Sequence, residues 1–342
     1  MNITQNFDTD ALLPWEQPAW HQDVENWLDV VFRERGWQRA GEVVEVQRRP
    51  WSVILKLNAP VGGLYFKACS PALMHEPALT RALSLWQPQR VLPLIASETE
   101  RGWMLMPDGS PTLRSQFEAG APLSTWLDIL RVFAQMQIDL LPHAEELLTL
   151  GIIDRRTDTL ADQFTHLLED ENAMRLEQKD GLTRDEFDRL QQEMPVFRRL
   201  CRELTECGIP DSLEHDDFHD GNIFYSQNRL VFFDWGETCL SHPFFSMVVG
   251  LNSIAYRFDL EPGGESWCQL RDAYLQPWAA FSDRGTLLRA FDLAQQVGAV
   301  NRALTWHRVV SRLPLRWQQE DADAVPGWLQ IYLERRKRYG ND

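Results

Sequence analysis

His215-Asp216-Asp217-Phe218-His219-Asp220-Gly221-Asn222, followed twelve residues beyond Asn222 by Asp234-Trp235-Gly236, organises the reading of everything around it. Gly221-Asn222 would end any helix, Ile223-Phe224-Tyr225 is strand-like, and Leu230-Val231-Phe232-Phe233 is an apolar strand that runs into a carboxylate. The pattern is a tight loop carrying one carboxylate and one amide, then a strand ending in a second carboxylate. Asp217 can accept the proton of a hydroxyl. Asn222 and Asp234 offer hard oxygen ligands of the kind Mg²⁺ prefers, leaving coordination positions for phosphate oxygens and water. A carboxylate at the end of so apolar a strand calls for a cation.

This spacing resembles the H-x-D-x-x-x-x-N and D-x-G pair of the aminoglycoside phosphotransferase and choline kinase superfamily. The resemblance implies an α+β, protein-kinase-like fold of two lobes, the small lobe built on an antiparallel sheet and the large lobe mainly helical. It also implies Mg²⁺-dependent transfer of the ATP γ-phosphoryl group to a hydroxyl of a small molecule, whether aminoglycoside, amino alcohol or sugar-like. Asp217 then has the catalytic role, Asn222 and Asp234 hold metal, and His215 and His219 support the loop. GTP as donor stays open. Asp216 and Asp220 stand where many relatives have Gly and Pro, and neither is an expected ligand position. A catalytically silent, kinase-like nucleotide-binding or regulatory protein is the alternative, against which the intact trio of Asp217, Asn222 and Asp234 weighs. His215 and His219, four apart with an acid after the first, superficially match a zinc helix, but the Gly221-Asn222 break argues against it.

A kinase also needs a cation on the nucleotide phosphates. In Gly63-Leu64-Tyr65-Phe66-Lys67, Tyr65 and Lys67 share one strand face and Leu64 and Phe66 the other, so the sheet can bury one side and present the ammonium on the other. Lys67 stands where the family's strand-borne lysine would be, with Lys56 as runner-up. Glu76 resembles the helix glutamate that holds such a lysine, although Pro77 marks a helix start, where dipole complementation is a competing reason for a carboxylate. No glycine-rich phosphate loop or Walker motif is present. Gln47-Arg48-Arg49-Pro50-Trp51-Ser52 occupies the corresponding turn, and Ser52 is either a phosphate contact or an ordinary polar turn residue.

The 342 residues, 44% hydrophobic and 25% charged, suffice for two lobes with cores of their own. No apolar run approaches the roughly 20 residues a membrane span needs, and the opening MNITQNFDTD lacks the basic-then-apolar pattern of a secretory signal. The cysteines (Cys69, Cys201, Cys207, Cys239, Cys268) show no C-x-x-C spacing, which fits reduced thiols in a cytoplasmic protein. A net charge of −16 argues against a nucleic-acid partner. It sets no oligomeric state.

Along the chain, periodicity predicts a helix over 20–36, strands over 42–48, 52–58, 63–68, 91–96 and 102–106, and a helical segment from Ser70-Pro71 that Pro77 kinks or restarts before Ala78–Trp86. Pro107-Asp108-Gly109-Ser110-Pro111 reads as the hinge, dividing an N-terminal lobe (1–107) from a C-terminal lobe (108–342) with the catalytic loop and acceptor site. Helices are predicted over 123–141, 158–170, 183–207, 266–281, 284–312 and 326–338. His242–Ser246 reads as packing. Trp267, Trp278, Trp306, Trp317 and Trp328 fall where relatives bind acceptors, as cation–π partners or as core.

Overall fold

The computed structural model describes residues 12–109, 111–117, 121–226 and 229–339. Ser110 of the expected hinge and the opening residues 1–11 lie outside them. The chain forms two compact units, one running up to Gly109 and including Arg308–Asp321, the other comprising the intervening residues and those from Ala322 onward.

In the first unit α1 (Trp20–Glu34) buries Trp20, Val24, Leu28, Val31 and Phe32, one helical face at i, i+4, i+8, i+11 and i+12. Gly36, at φ 65°, supplies the left-handed residue that ends it. Strands β1 (Ala40–Arg49), β2 (Ser52–Ala59) and β3 (Gly62–Cys69) form an antiparallel meander. Pairing of Arg49 with Ser52 leaves Pro50-Trp51 as a two-residue turn. The register opposes Leu55 to Phe66 and Leu57 to Leu64 on the buried face. It sets Ile54 beside Lys67 and Lys56 beside Tyr65 on the other. Phe66 meets Trp103 and Trp27 edge-on at 5.7 Å, so α1 and the sheet share one aromatic core.

After a 3-10 turn over Pro71–Leu73, α2 (Glu76–Trp86) starts with Pro77 in its first turn, where a missing N–H costs nothing. β4 (Ala96–Glu98) and β5 (Trp103–Pro107) complete a sheet of order β1-β2-β3-β5-β4. The strand expected over 91–96 is not formed, and only Ala96 belongs to β4. Pro93 removes a ladder donor there, and Arg90 and Val91 turn back to donate to the Gln87 carbonyl. The returning segment packs Leu313 into the core, and Arg308 Nη1 donates to Ala72 O at 2.8 Å.

The second unit is mostly helical. Its elements are α3 (Leu113–Gln116), α4 (Leu123–Asp139), α5 (Ala144–Thr149), β6 (Ile153–Arg155), α6 (Thr157–Leu168), α7 (Glu171–Met174), α8 (Arg184–Glu206), β7 (Ser212–Glu214), β8 (Ile223–Ser226), β9 (Arg229–Phe232), β10 (Cys239–Ser241), α9 (Ser246–Phe258), α10 (Glu265–Leu275), most of α11 (Arg284–Ser311) and α12 (Ala324–Tyr339). The helix expected over 266–281 ends at Leu275 and continues as a 3-10 segment containing Pro277. The helix expected over 326–338 starts two residues earlier, at Ala324, with Pro326 in its first turn. β10 pairs parallel to β6 and antiparallel to β7, while β8 and β9 form a separate hairpin. Gln137 of α4, fully buried, donates to Leu213 O and Pro243 O and accepts from the Tyr274 hydroxyl, tying the strand that leads into the 215–222 loop, the turn before α9, and α10 to one helix.

Candidate active site

The loop between β7 and β8 hangs on Phe218. Its ring lies 4.2 Å from Phe133 of α4 and 5.9 Å from Phe232 of β9, and Gly250 of α9 has no Cβ because one would meet Phe218 Cδ1 at 2.9 Å. Burying the residue after Asp217 fixes the backbone from which its carboxylate projects.

His215 closes the loop on itself. Its Nε2–H donates to Phe233 O at 3.0 Å and its Nδ1 accepts from Asp217 N–H at 3.3 Å, which requires the neutral tautomer. Burial pushes the imidazole below its ordinary range, in agreement with that geometry. The Phe233 bond also ties the loop to the residue preceding Asp234.

Asp217 is held at both oxygens. Oδ2 accepts from Asn222 Nδ2 at 3.0 Å and faces His219 Nε2 at 3.3 Å, while Oδ1 accepts from Arg302 Nη2 at 3.1 Å. Burial by itself would raise this carboxyl, but the His219 hydrogen bond and the Arg302 charge outweigh it and hold it well below the usual carboxylate range. For His219, burial opposes the charged form and the Asp217 hydrogen bond favours it, with a net upward shift. The geometry favours the neutral ring all the same, because Nδ1 accepts from Gly221 N–H at 3.0 Å and must keep its lone pair.

Asn222 spends its amide nitrogen on the Asp217 carbonyl and carboxylate, which leaves the amide oxygen as the atom able to meet a cation. Its carbonyl accepts from Phe233 N–H at 3.1 Å, so the hairpin brings Asn222 and the start of the Asp234 turn side by side. Asp234 has φ 67°, a left-handed backbone that costs a non-glycine residue roughly 1 kcal/mol or more. That turn leaves the side chain half-buried and not sunk in a core as the apolar strand suggested. Among the described residues there is no group of three or more His, Cys, Asp or Glu that could hold a metal ion.

The structure also brings Lys67 and Glu76 together. Lys67 Nζ lies 2.7 Å from Glu76 Oε1 and the Cys69 thiol donates to Oε2 at 3.2 Å, all three buried. Lys56 instead lies over the Tyr65 ring at 5.1 Å and 3.5 Å from Asp108, its side chain partly exposed. Ser52 is buried at the start of β2, directly after the Pro50-Trp51 turn. Trp267 and Trp278 are core, whereas Trp306 is half-buried with the Arg302 guanidinium 5.4 Å from its ring centre.

Arg302 is the residue that motif reading misses. It is 5% exposed and meets Asp217, Asp216 at 3.6 Å, and Glu237. Burial pushes Glu237 up to about 7 even beside that cation. The residue before it, Asn301, donates to Glu214 and Asp216, and the buried Arg155 donates to Asn301 O at 2.7 Å. The signal available in the sequence is Asn301-Arg302 inside the otherwise apolar Ala299–Leu304 run. Asp220, at the position where Pro was expected, is buried between Arg114 at 2.6 Å and Arg257 at 3.4 Å.

The fold and this loop define a kinase-like phosphotransferase. The model of the phosphotransferase enzyme family matches residues 78–285, well over half of the chain, and the chain belongs to that family. The matched span contains Asp217, Asn222 and Asp234 and begins after Lys67 and Glu76. Similar solved structures include macrolide 2'-phosphotransferase type I, at 13% identity over 92% of this chain and 97% of that one, TM-score 0.57. A choline kinase of Cryptosporidium parvum Iowa II gives 11% identity over 92% and 96%, TM-score 0.57. An amicoumacin kinase in complex with AMP-PNP and Ca²⁺ gives 12% over 93% and 96%, TM-score 0.50. At such identities the likeness is one of fold, and that fold is the protein-kinase-like α+β arrangement. No curated protein matches the sequence.

Proposed function

We propose that this protein is a Mg²⁺- and ATP-dependent kinase that moves the γ-phosphoryl group to a hydroxyl of a small molecule of aminoglycoside, amino-alcohol or sugar type. The observation that carries the reading is Asp217, an ionised carboxylate oriented by Asn222, His219 and Arg302 at the mouth of a buried loop. So acidic a group is a weak base. It aligns the acceptor hydroxyl and takes its proton as the bond to phosphorus forms, which suits a loose transfer in which positioning supplies most of the rate. Asn222, through its amide oxygen, and Asp234 would hold Mg²⁺, whose charge neutralises that developing on the phosphate oxygens. Lys67, braced by Glu76, would orient the α- and β-phosphates, with Ser52 beside them at the strand turn.

In this reading the lobe up to residue 107 takes the nucleotide, and the lobe from 108 onward carries the loop and the acceptor. The amicoumacin kinase in complex with AMP-PNP supports ATP as donor. Five free cysteines support a cytoplasmic setting, and the net charge of −16 speaks against nucleic acid. Among the described residues no helix is long and apolar enough to cross a membrane.

The test is Mg²⁺-dependent ADP release across a panel of amino sugars, amino alcohols and sugars, with product mass measured for wild type and Asp217→Asn. The variant keeps size and loses basicity, so nucleotide should bind as before while transfer falls by about 10²–10⁴. Mg²⁺-independent nucleotide binding with no phosphorylated product from wild type would establish a silent binding protein instead.

A further inference from the structure

We propose that Arg302 is a positioning residue for phosphoryl transfer, which sets the rotation of the Asp217 carboxylate from outside the loop. The inference rests on the reading of Asp217 as proton acceptor. Two of the three side chains on that carboxylate, Asn222 and His219, belong to the loop itself and both engage Oδ2. The contact at Oδ1 comes from α11, 85 residues further along the chain. Without it the carboxylate is fixed at one oxygen only, and its rotation is set by side chains of the loop alone, although Phe218 still seats the loop backbone on α4.

The surroundings favour a device for orientation over a simple ion pair. Arg302 is buried, its guanidinium lies against the Trp306 ring, and the same fork reaches Asp216 and Glu237. Three carboxylates thus share one planar cation, and its plane is set by two of them and the indole before Asp217 is counted. Its anchors are themselves anchored. Asp216 accepts from Asn301 at 3.3 Å, and Asn301 O in turn accepts from Arg155. A lysine cannot reproduce this, since one ammonium on a flexible stem has no fork to span Glu237 and Asp217.

The experiment compares Arg302→Lys, Arg302→Gln and the double variant Arg302→Gln/Glu237→Gln with wild type. It uses the full chain, Mg²⁺·ATP and the acceptor identified in the panel, with water as the acceptor always present. The expected result is a kcat lower by about ten- to a hundredfold in all three variants, with the KM for ATP within about twofold of wild type. The double variant removes the unpaired Glu237 carboxylate and so should regain most of the thermal stability lost in Arg302→Gln, with kcat still low. Recovery of kcat together with stability would overturn the proposal, leaving Arg302 a structural residue only, and so would a wild-type kcat in folded Arg302→Lys. Asp217→Asn runs alongside. If it turns over like wild type, the proton-acceptor reading itself has failed and this inference with it; if it is inactive while the double variant is unimpaired, this inference alone has failed.

Discussion

Replacing Lys67 by Met keeps the length of the side chain and removes its charge, at a cost that the partners of the ammonium determine. Glu76 has no exposed surface, and its Oε1 faces Lys67 Nζ at 2.7 Å. Removing one partner of a buried pair strands the other charge, at about 3–5 kcal/mol. Two features soften the loss: Glu76 keeps the Cys69 thiol at 3.2 Å, and as the first residue of α2 it stands at the positive end of the helix, worth up to about 1 kcal/mol. The net destabilisation is therefore about 2–4 kcal/mol, or on the order of 10 °C in the unfolding midpoint of a lobe this size. Lys56→Met should shift the midpoint hardly at all, because that ammonium is solvated. The double variant Lys67→Met/Glu76→Gln should regain most of the lost stability yet bind ATP weakly, which separates the role in folding from the role on phosphate. Thermal unfolding and ATP titration calorimetry on the four proteins decide the matter. Failure of Glu76→Gln to restore the midpoint, or weaker nucleotide binding in Lys56→Met than in the stabilised double variant, would refute the reasoning.

Asp234→Ala should abolish Mg²⁺-dependent turnover and leave the fold intact. Asp234→Gly should be equally inactive but about 1 kcal/mol more stable than Asp234→Ala, since glycine relaxes the left-handed φ of 67°; equal stability of the two would contradict the strain. Burial holds His242 down to about 3, against about 6.5 for a free imidazole, so the unfolded chain takes up the proton first. Its contribution to stability is complete above roughly pH 6.5 and drains away as pH falls toward about 3. His242→Asn keeps an acceptor for Phe244 N–H, which His242 Nδ1 meets at 3.3 Å. Denaturant titrations of this variant between about pH 6.5 and 4 should show a flatter dependence than wild type, and identical slopes would remove His242 from the account.

Local pattern explains which parts of this molecule are legible. Alternation of Val53, Leu55 and Leu57 with Leu64, Phe66 and Ala68 assigns the buried face of β2 and β3 without any tertiary knowledge, and with it the face that carries Lys67. The 215–222 loop is readable because its chemistry depends on residues close in sequence. The short apolar run at 91–96 misleads, because it has the composition of a strand while Pro93 interrupts the ladder. Arg302 escapes for a different reason. Its partners are 65 to 86 positions away, and nothing in helical periodicity separates a buried arginine from one at a helix edge. The return of Arg308–Asp321 to the first unit is equally invisible to local pattern, being a consequence of where one long helix ends.

The sharing of one guanidinium among Asp216, Asp217 and Glu237 also constrains descent. Losing Arg302 alone leaves three acids gathered without their cation, and gaining an apolar residue at 237 alone removes one of the groups that hold the arginine flat. Losing the arginine alone strands buried acid, at a cost on the order of 3 kcal/mol, a large part of the stability a domain possesses, whereas losing Glu237 alone leaves the cation paired with Asp216 and Asp217. The order of change is therefore constrained: a neutral residue at 237 comes before, or together with, loss of the arginine at 302, unless the protein has stability to spare.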